Sequence, residues 1–246
     1  MSLPHPIAFE MEPLELASSL AMEEALLEAC DAGELPAMLG FWEPRVMGVV
    51  VGYANATRRE VNLEACDADG VAVLRRCSGG GTVLQMPGVL NYTMITPIPE
   101  TGELSTLSGT NVWMMQHLAA GLGKLPGLAG RMRTRGITDV CLDEQKCMGN
   151  AQRRKRSALL FHGSILLSAT LPMMETYLAF PSQTPEYRAQ RSHTDFCVNL
   201  SRPSESVREA LVAAFSGQWG QVTLPRMRME RLMQERYSRR DWHRKS

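Results

Sequence analysis

Between Val71 and Leu167 the chain is a succession of short apolar runs cut by turn residues, and this spacing restricts the fold more than any other feature. Val71–Leu74, Val83–Gln85, Leu90–Thr96, Asp139–Leu142, Lys146–Met148 and Ala158–Leu167 have strand length, and Gly, Pro or Asp punctuates the stretches between them. A glycine run fills Ser78–Gly81, Met86-Pro87-Gly88 reads as a turn, and Asp143-Glu144-Gln145 as the tip of a hairpin. Helical periodicity appears around this core. Leu14–Cys30 repeats apolar residues near a 3.6 period, with Glu23, Glu24 and Glu28 assigned to an outer face; Glu60–Ala68, Gly109–Leu122, Pro172–Phe180 and Ser206–Gly217 follow. Ala37–Phe41 and Arg45–Tyr53 add strands, the polar Gln183–Ser192 reads as a long surface loop, and Met227–Ser246 as a charged helix ending in a basic coil. No repeat or low-complexity linker divides the chain, so one α+β domain over residues 1–246 is expected.

With 44% hydrophobic residues, 246 residues suffice for one substantial core. Lys+Arg and Asp+Glu balance at 26 each, so no overall field draws the chain to nucleic acid or an anionic membrane, and function must lie in local sites. The six cysteines form no CxxC pair and no zinc-ligand spacing, so neither a disulfide framework nor a metal centre is expected. The start lacks a basic stretch followed by an apolar one, and no apolar run reaches the ~18 residues of a membrane span. The expected setting is cytoplasmic.

Two segments carry chemistry. In Arg75-Arg76-Cys77-Ser78-Gly79-Gly80-Gly81-Thr82-Val83, glycines let the backbone approach a ligand and offer N–H groups to an anion, and the arginines can supply charge-assisted bonds to phosphate or carboxylate. The run is not a P-loop, since no Lys-Ser/Thr follows its last glycine. In Asp139–Gln152, Lys146 stands just past the hairpin tip, with Gly149-Asn150 closing the arm; a lysine on a rigid strand can stabilise charge developing between a carboxylate and a phosphate.

Together these segments resemble the lipoate-protein ligase A family of the biotin and lipoate protein ligase superfamily. That family's motifs appear in order as Arg75–Gly81, Leu90-Asn91-Tyr92, Lys146–Gln152 and His162-Gly163-Ser164-Ile165-Leu166. The resemblance implies a class II biotin/lipoyl synthetase-like catalytic domain, a mixed or antiparallel sheet flanked by helices, with an acyl chain in an apolar tunnel. It implies ATP and Mg²⁺ as cofactors, lipoate as substrate and a lipoyl carrier domain as partner. Lys146 becomes the catalytic residue. Arg75, Arg76, Ser78, Gly79, Gly80, Gly81, Thr82, Val83, Leu84, Asn91, Lys146, Gly149, Ala151, Asn150, His162 and Gly163 become the ATP and lipoyl-AMP site. Departures are Gln85, where the family commonly has His, and Met86-Pro87-Gly88, where many relatives carry an acid. The chain also ends near Trp242, where longer bacterial ligases continue into an accessory domain, which makes a separate accessory subunit a possible partner.

Two other activities stay open: an octanoyltransferase working through a cysteine thioester, and a non-catalytic lipoate-binding relative. For the transferase, Phe180-Pro181-Ser182 and Arg131–Gly136 hold no thiol where relatives place one, and Cys141 and Cys147 read as buried strand residues. The run Arg153-Arg154-Lys155-Arg156 reads either as a solvated face or as a dock for an acidic carrier. His162 reads as structural or as a contact to the acyl carbonyl, and His193 and Asp195 as members of a loop over the pocket.

Overall fold

The computed structural model describes residues 5–245 apart from residue 13. Its strands are β1 (Ile7–Glu10), β2 (Met38–Trp42), β3 (Gly48–Val51), β4 (Ala72–Arg75), β5 (Val83–Gln85), β6 (Val89–Pro97), β7 (Met132–Arg135), β8 (Asp139–Leu142), β9 (Gln145–Arg154), β10 (Ala158–Leu166) and β11 (Gln218–Trp219). They form two sheets. The larger runs β11-β1-β2-β6-β10-β9-β8-β7, parallel at β11-β1-β2 and antiparallel thereafter; the smaller runs β4-β3-β5. Mixed sheets flanked by helices are therefore the architecture, as the class II resemblance implied.

Both faces of the large sheet are covered, which is why its central strands read as unbroken apolar runs. Side chains alternate across a strand. Leu39, Met94, Leu159 and Phe161 face the helices Leu107–Leu122 and Ser204–Ala214, whereas Met38, Ile95 and Leu160 face the helix α1 (Leu16–Asp31). Each such fully buried side chain contributes about 1.5–3 kcal/mol. Burial is what holds α1, because Glu15 at its N-terminus makes no side-chain capping bond.

Twelve of the sixteen residues of α1 are buried, so it is a core helix and not a surface one. Glu23 and Glu24, assigned by periodicity to the outer face, point inward: Glu23 toward His162 and Trp42, Glu24 toward Tyr237 and Arg236. Other differences are local. Two strands, β1 and β11, and the arginine-rich β7 are additional to the expectation. The helix expected over Glu60–Ala68 is two short ones, Thr57–Glu60 and Leu63–Ala68, and that over Pro172–Phe180 is the single turn Met173–Tyr177. The tail helix Arg226–Leu232 passes into a π-turn at Met233–Tyr237 and resumes at Arg240–His243; the expected coil at Ser246 lies outside the described residues. Among the described residues no helix is long and apolar enough to cross a membrane.

Candidate functional site

Strand β4 ends at Arg75, and the chain turns through the glycine run before re-entering the small sheet at β5. Arg76 closes this loop on itself: Nη2 donates to Gly79 O at 2.5 Å and Gly81 O at 2.8 Å, and Nε to Ser78 Oγ at 3.0 Å. Gly80 sits at φ +82°, a conformation that side chains rarely tolerate. Burial lowers the Arg76 pKa to about 10, which still leaves it charged at neutral pH.

Behind the loop, a polar chain ties three elements together. Ser78 Oγ lies 2.5 Å from His162 Nε2 on β10, and His162 Nδ1 lies 2.7 Å from Glu23 Oε2 on α1. Glu23 also accepts from Trp42 Nε1 at 3.0 Å and from Thr93 Oγ1. The order Ser-His-Glu suggests a hydrolytic triad, but Ser78 is fully buried and absent from the walls of the cavities beside it, so it has no access to a substrate. Burial alone would raise the Glu23 carboxyl, yet the paired His162 and the bonds from His162, Thr93 and Trp42 hold it below its ordinary 4.5. A depressed carboxyl adds stability that is present above the unfolded value and is lost as pH falls through the folded one. Glu23→Gln is therefore expected to cost about 3 kcal/mol, roughly 10 °C in Tm, at neutral pH, and this deficit should shrink below pH 4.5; thermal melts across pH check it.

Lys146 rises from β9 between two backbone neighbours, Cys141 on β8 and Cys197 beyond the sheet. Its Nζ is 2.6 Å from Asp139 Oδ1, and Tyr187 donates to Asp139 Oδ2 at 2.8 Å. Burial pushes the Lys146 ammonium toward deprotonation, but the charge and hydrogen bond of Asp139, with smaller contributions from Cys197 and Cys141, together hold its pKa above the usual value. Gly149 leaves the necessary room, because a Cβ there would come within 2.8 Å of both Cε and Nζ of Lys146. Asn150 pins the hairpin: it donates to Thr138 O at 2.8 Å and accepts from Tyr92 OH at 2.7 Å.

Lys146 belongs to the walls of two adjoining cavities. The smaller, about 140 Å³, runs under the glycine loop between Leu20, Trp42, Val50, Val83 and His162. The larger, about 490 Å³, lies among Leu84, Met148, Leu166, Met174, Leu178 and Phe196. Gly81, Thr82, Val83, Thr138, Asp139, Lys146, Gly149 and Ser164 line both. A cation at the boundary of two compartments can contact one ligand in each.

The structure brings together Arg76, Gly80, Gly81, Thr82, Val83, Leu84, Asn91, Lys146, Gly149, Asn150, Ala151, His162 and Gly163 around these cavities. Gln85 is bonded within the wall, its Nε2 donating to Asn91 Oδ1 at 2.9 Å and to Ser164 Oγ at 2.8 Å. Ser78 and Gly79 stand behind the wall.

Arg75 departs furthest from its expected role. Its buried guanidinium donates to Gly52 O, Tyr53 O, Asn55 O, Thr57 Oγ1, Trp242 O, His243 O and Lys245 O at 2.8–3.4 Å, binding the tail and not a ligand. The basic run is likewise divided. Arg154 turns inward to Leu104 O, Ser105 O and Thr110 Oγ1, Lys155 pairs with Glu28 at 2.9 Å, and Arg153 lies over the Tyr53 ring, so of the four only Arg153 and Arg156 are exposed.

Among the residues at the site that escaped the sequence reading, Glu23, Asp139, Arg188 and Cys197 bear on its chemistry. Asp139 could have been found by its place opposite Gly149 across the hairpin; the others meet the site only through long-range packing. All six cysteines are free and buried, and of them only Cys197 lines either cavity. Among the described residues no group of three or more His, Cys, Asp or Glu could hold a metal ion.

Residues 15–216 match the family described as the lipoyl protein ligase A/B catalytic domain. An octanoyltransferase LipM of Kyrpidia tusciae is 29% identical over 227 residues, covering 81% of this chain and 82% of that protein. The lipoate-protein ligase A subunit 1 of Thermoplasma acidophilum is 26% identical over 205 residues, covering 80% and 78%. A crystal structure of a lipoate-protein ligase A bound with ATP shares the fold at a TM-score of 0.77, with 22% identity over 99% of each chain. The relatives divide between two activities on one scaffold, and the chain belongs to the lipoyl protein ligase A/B catalytic domain family.

Proposed function

We propose that the chain is an ATP-dependent ligase that activates lipoate, or octanoate, as its acyl-AMP and passes the acyl group to a lysine of a lipoyl carrier domain. The observation that carries this reading is Lys146 on the shared wall of two cavities, the smaller of which contains no thiol. The apolar side chains of Leu20, Trp42, Val50 and Val83 support placing the acyl chain in the smaller cavity, and the greater volume and the Arg188 wall of the larger support placing the nucleotide there. A carboxylate oxygen attacks the α-phosphorus; the new O–P bond replaces the bond to pyrophosphate. The carrier amine then attacks the acyl carbonyl, a C–N bond replaces the C–O bond to AMP, and the amine releases a proton. Lys146, kept as ammonium by Asp139, stabilises the negative charge that grows on phosphate and then on carbonyl oxygen. Mg²⁺ would enter with the phosphates, and no step is assigned to a metal held by the chain. A separate second subunit is part of the proposal, supported by the designation of the T. acidophilum relative as subunit 1.

Two observations favour a transferase instead. Cys197 lines the larger cavity beside Lys146, and the K. tusciae relative is named an octanoyltransferase. On that reading the Cys197 thiolate takes octanoyl from a carrier thioester, releasing the carrier thiol, before the acceptor lysine displaces it. Burial works against this, because it pushes the Cys197 thiol up despite the nearby Lys146 and Arg188, keeping it protonated at neutral pH.

The test incubates the protein with lipoate, ATP, Mg²⁺ and an apo lipoyl domain, and reads the domain's intact mass; a parallel reaction supplies octanoyl carrier protein. ATP-dependent gain supports the ligase. Gain only from the octanoyl carrier overturns it, and absence of gain in both, with an added second subunit, overturns both activities. Cys197→Ser is expected to keep ligase activity within about twofold of the wild type, whereas a thioester route predicts a loss on the order of 10³-fold or more.

A further inference from the structure

Arg188 falls in the segment whose composition reads as a surface loop, yet it is only 4% exposed. Its guanidinium lies 4.8 Å from the Phe180 ring centroid and 4.7 Å from that of Phe196. Nε donates to Arg191 O at 3.0 Å, and Nη2 is buried with no hydrogen-bond partner among the described residues. The carboxylate in the neighbourhood, Glu175, is taken by His193 and by the backbone and hydroxyl of Thr194.

Arg75 provides the contrast within the same molecule. It is equally buried, but carbonyl and hydroxyl oxygens surround it. A buried cation without such partners is costly, and a fold keeps one chiefly where something else completes it. Arg188 lines the larger cavity, and Thr82, on the same wall, has a buried hydroxyl that is also without a partner. Two aromatic rings fix the plane of the guanidinium and shield it from water, which favours planar, charge-assisted pairing with an anion.

We propose that Arg188 grips a phosphate ester in the larger cavity; on the ligase reading, on which this inference rests, that ester is a phosphate of ATP. The same chemistry has one other source, the phosphodiester of an acyl carrier's pantetheine arm. Lysine in its place would keep the charge and lose the fork.

The test uses the full chain and Arg188→Met, a replacement of similar length, with Arg188→Lys beside it. Calorimetry measures ATP binding, and in a second arm binding of octanoyl carrier protein with and without its phosphopantetheine. ATP is expected to bind the wild type and to bind Arg188→Met at least tenfold more weakly, with Arg188→Lys also weakened. Without ligand, Tm of Arg188→Met should equal or exceed that of the wild type, because an uncompensated buried charge is gone. If ATP does not bind but the phosphopantetheine-dependent binding is lost in Arg188→Met, the role of Arg188 stands and the ligase reading falls. Unchanged affinity in the variant, binding of neither probe by the wild type, or a ligand-free Tm well below wild type would each overturn the proposal, the last by making Arg188 a structural residue.

Discussion

Lys146→Met is expected to lower carrier acylation on the order of 10³-fold while leaving the fold intact. The size of the loss follows from the position. Lys146 is the one ammonium on the wall common to both cavities, and removing a single preorganised donor from a charge-developing site costs about 10²–10³-fold. The fold should tolerate the change, because Asp139 still accepts from Tyr187 and the hairpin is pinned independently by Asn150. Gly149→Ala provides a companion measurement. Its new Cβ would displace Nζ without removing the charge, so activity should fall while the net charge is unaltered. Intact-mass rates with matched thermal melts check both. Near-wild-type turnover in Lys146→Met would remove the central residue of the ligase reading.

Arg75→Met is expected to destabilise the protein by more than about 5 kcal/mol, roughly 15 °C in Tm. The substitution strands buried carbonyls from two distant parts of the chain, the 52–55 turn and the tail at Trp242, His243 and Lys245. The tail also reaches back, with His243 Nδ1 accepting from Arg75 N and Trp242 Nε1 donating to Arg75 O. Limited proteolysis should therefore cut the variant's tail before the remainder unfolds. A Tm within a few degrees of wild type, with the tail still protected, would show that water replaces the lost donors.

These residues also mark the limits of local reading. The glycine run, the lysine hairpin and the strands around them were legible because each is encoded by neighbours in sequence: turn residues, apolar runs and glycines at close approaches. The destination of Arg75 was not, since its partners lie about 20 and 170 residues away. Glu23 and Glu24 fit an outward face until His162 and Tyr237 arrive through tertiary packing. Arg188 shows the converse error, because a polar segment suggests solvent while Phe180 and Phe196, on either side of it in sequence, close over its guanidinium. Strand β7 was missed because Met-Arg-Thr-Arg lacks an apolar run, and β11 because it has two residues.

Strand β7 ends the large sheet two positions from β9, the strand that carries Lys146, and among the described residues one of its backbone edges has no partner strand. On the proposed reading another folded protein must arrive near this end, offer a lysine and leave. An open, flat, apolar edge would invite the visitor to zip on as a further strand. Exposed Arg133 and Thr134, with Arg135 paired to Glu144, make that association unfavourable. The same arginines that hid the strand from its sequence thus guard this edge of the sheet against the addition of a further strand.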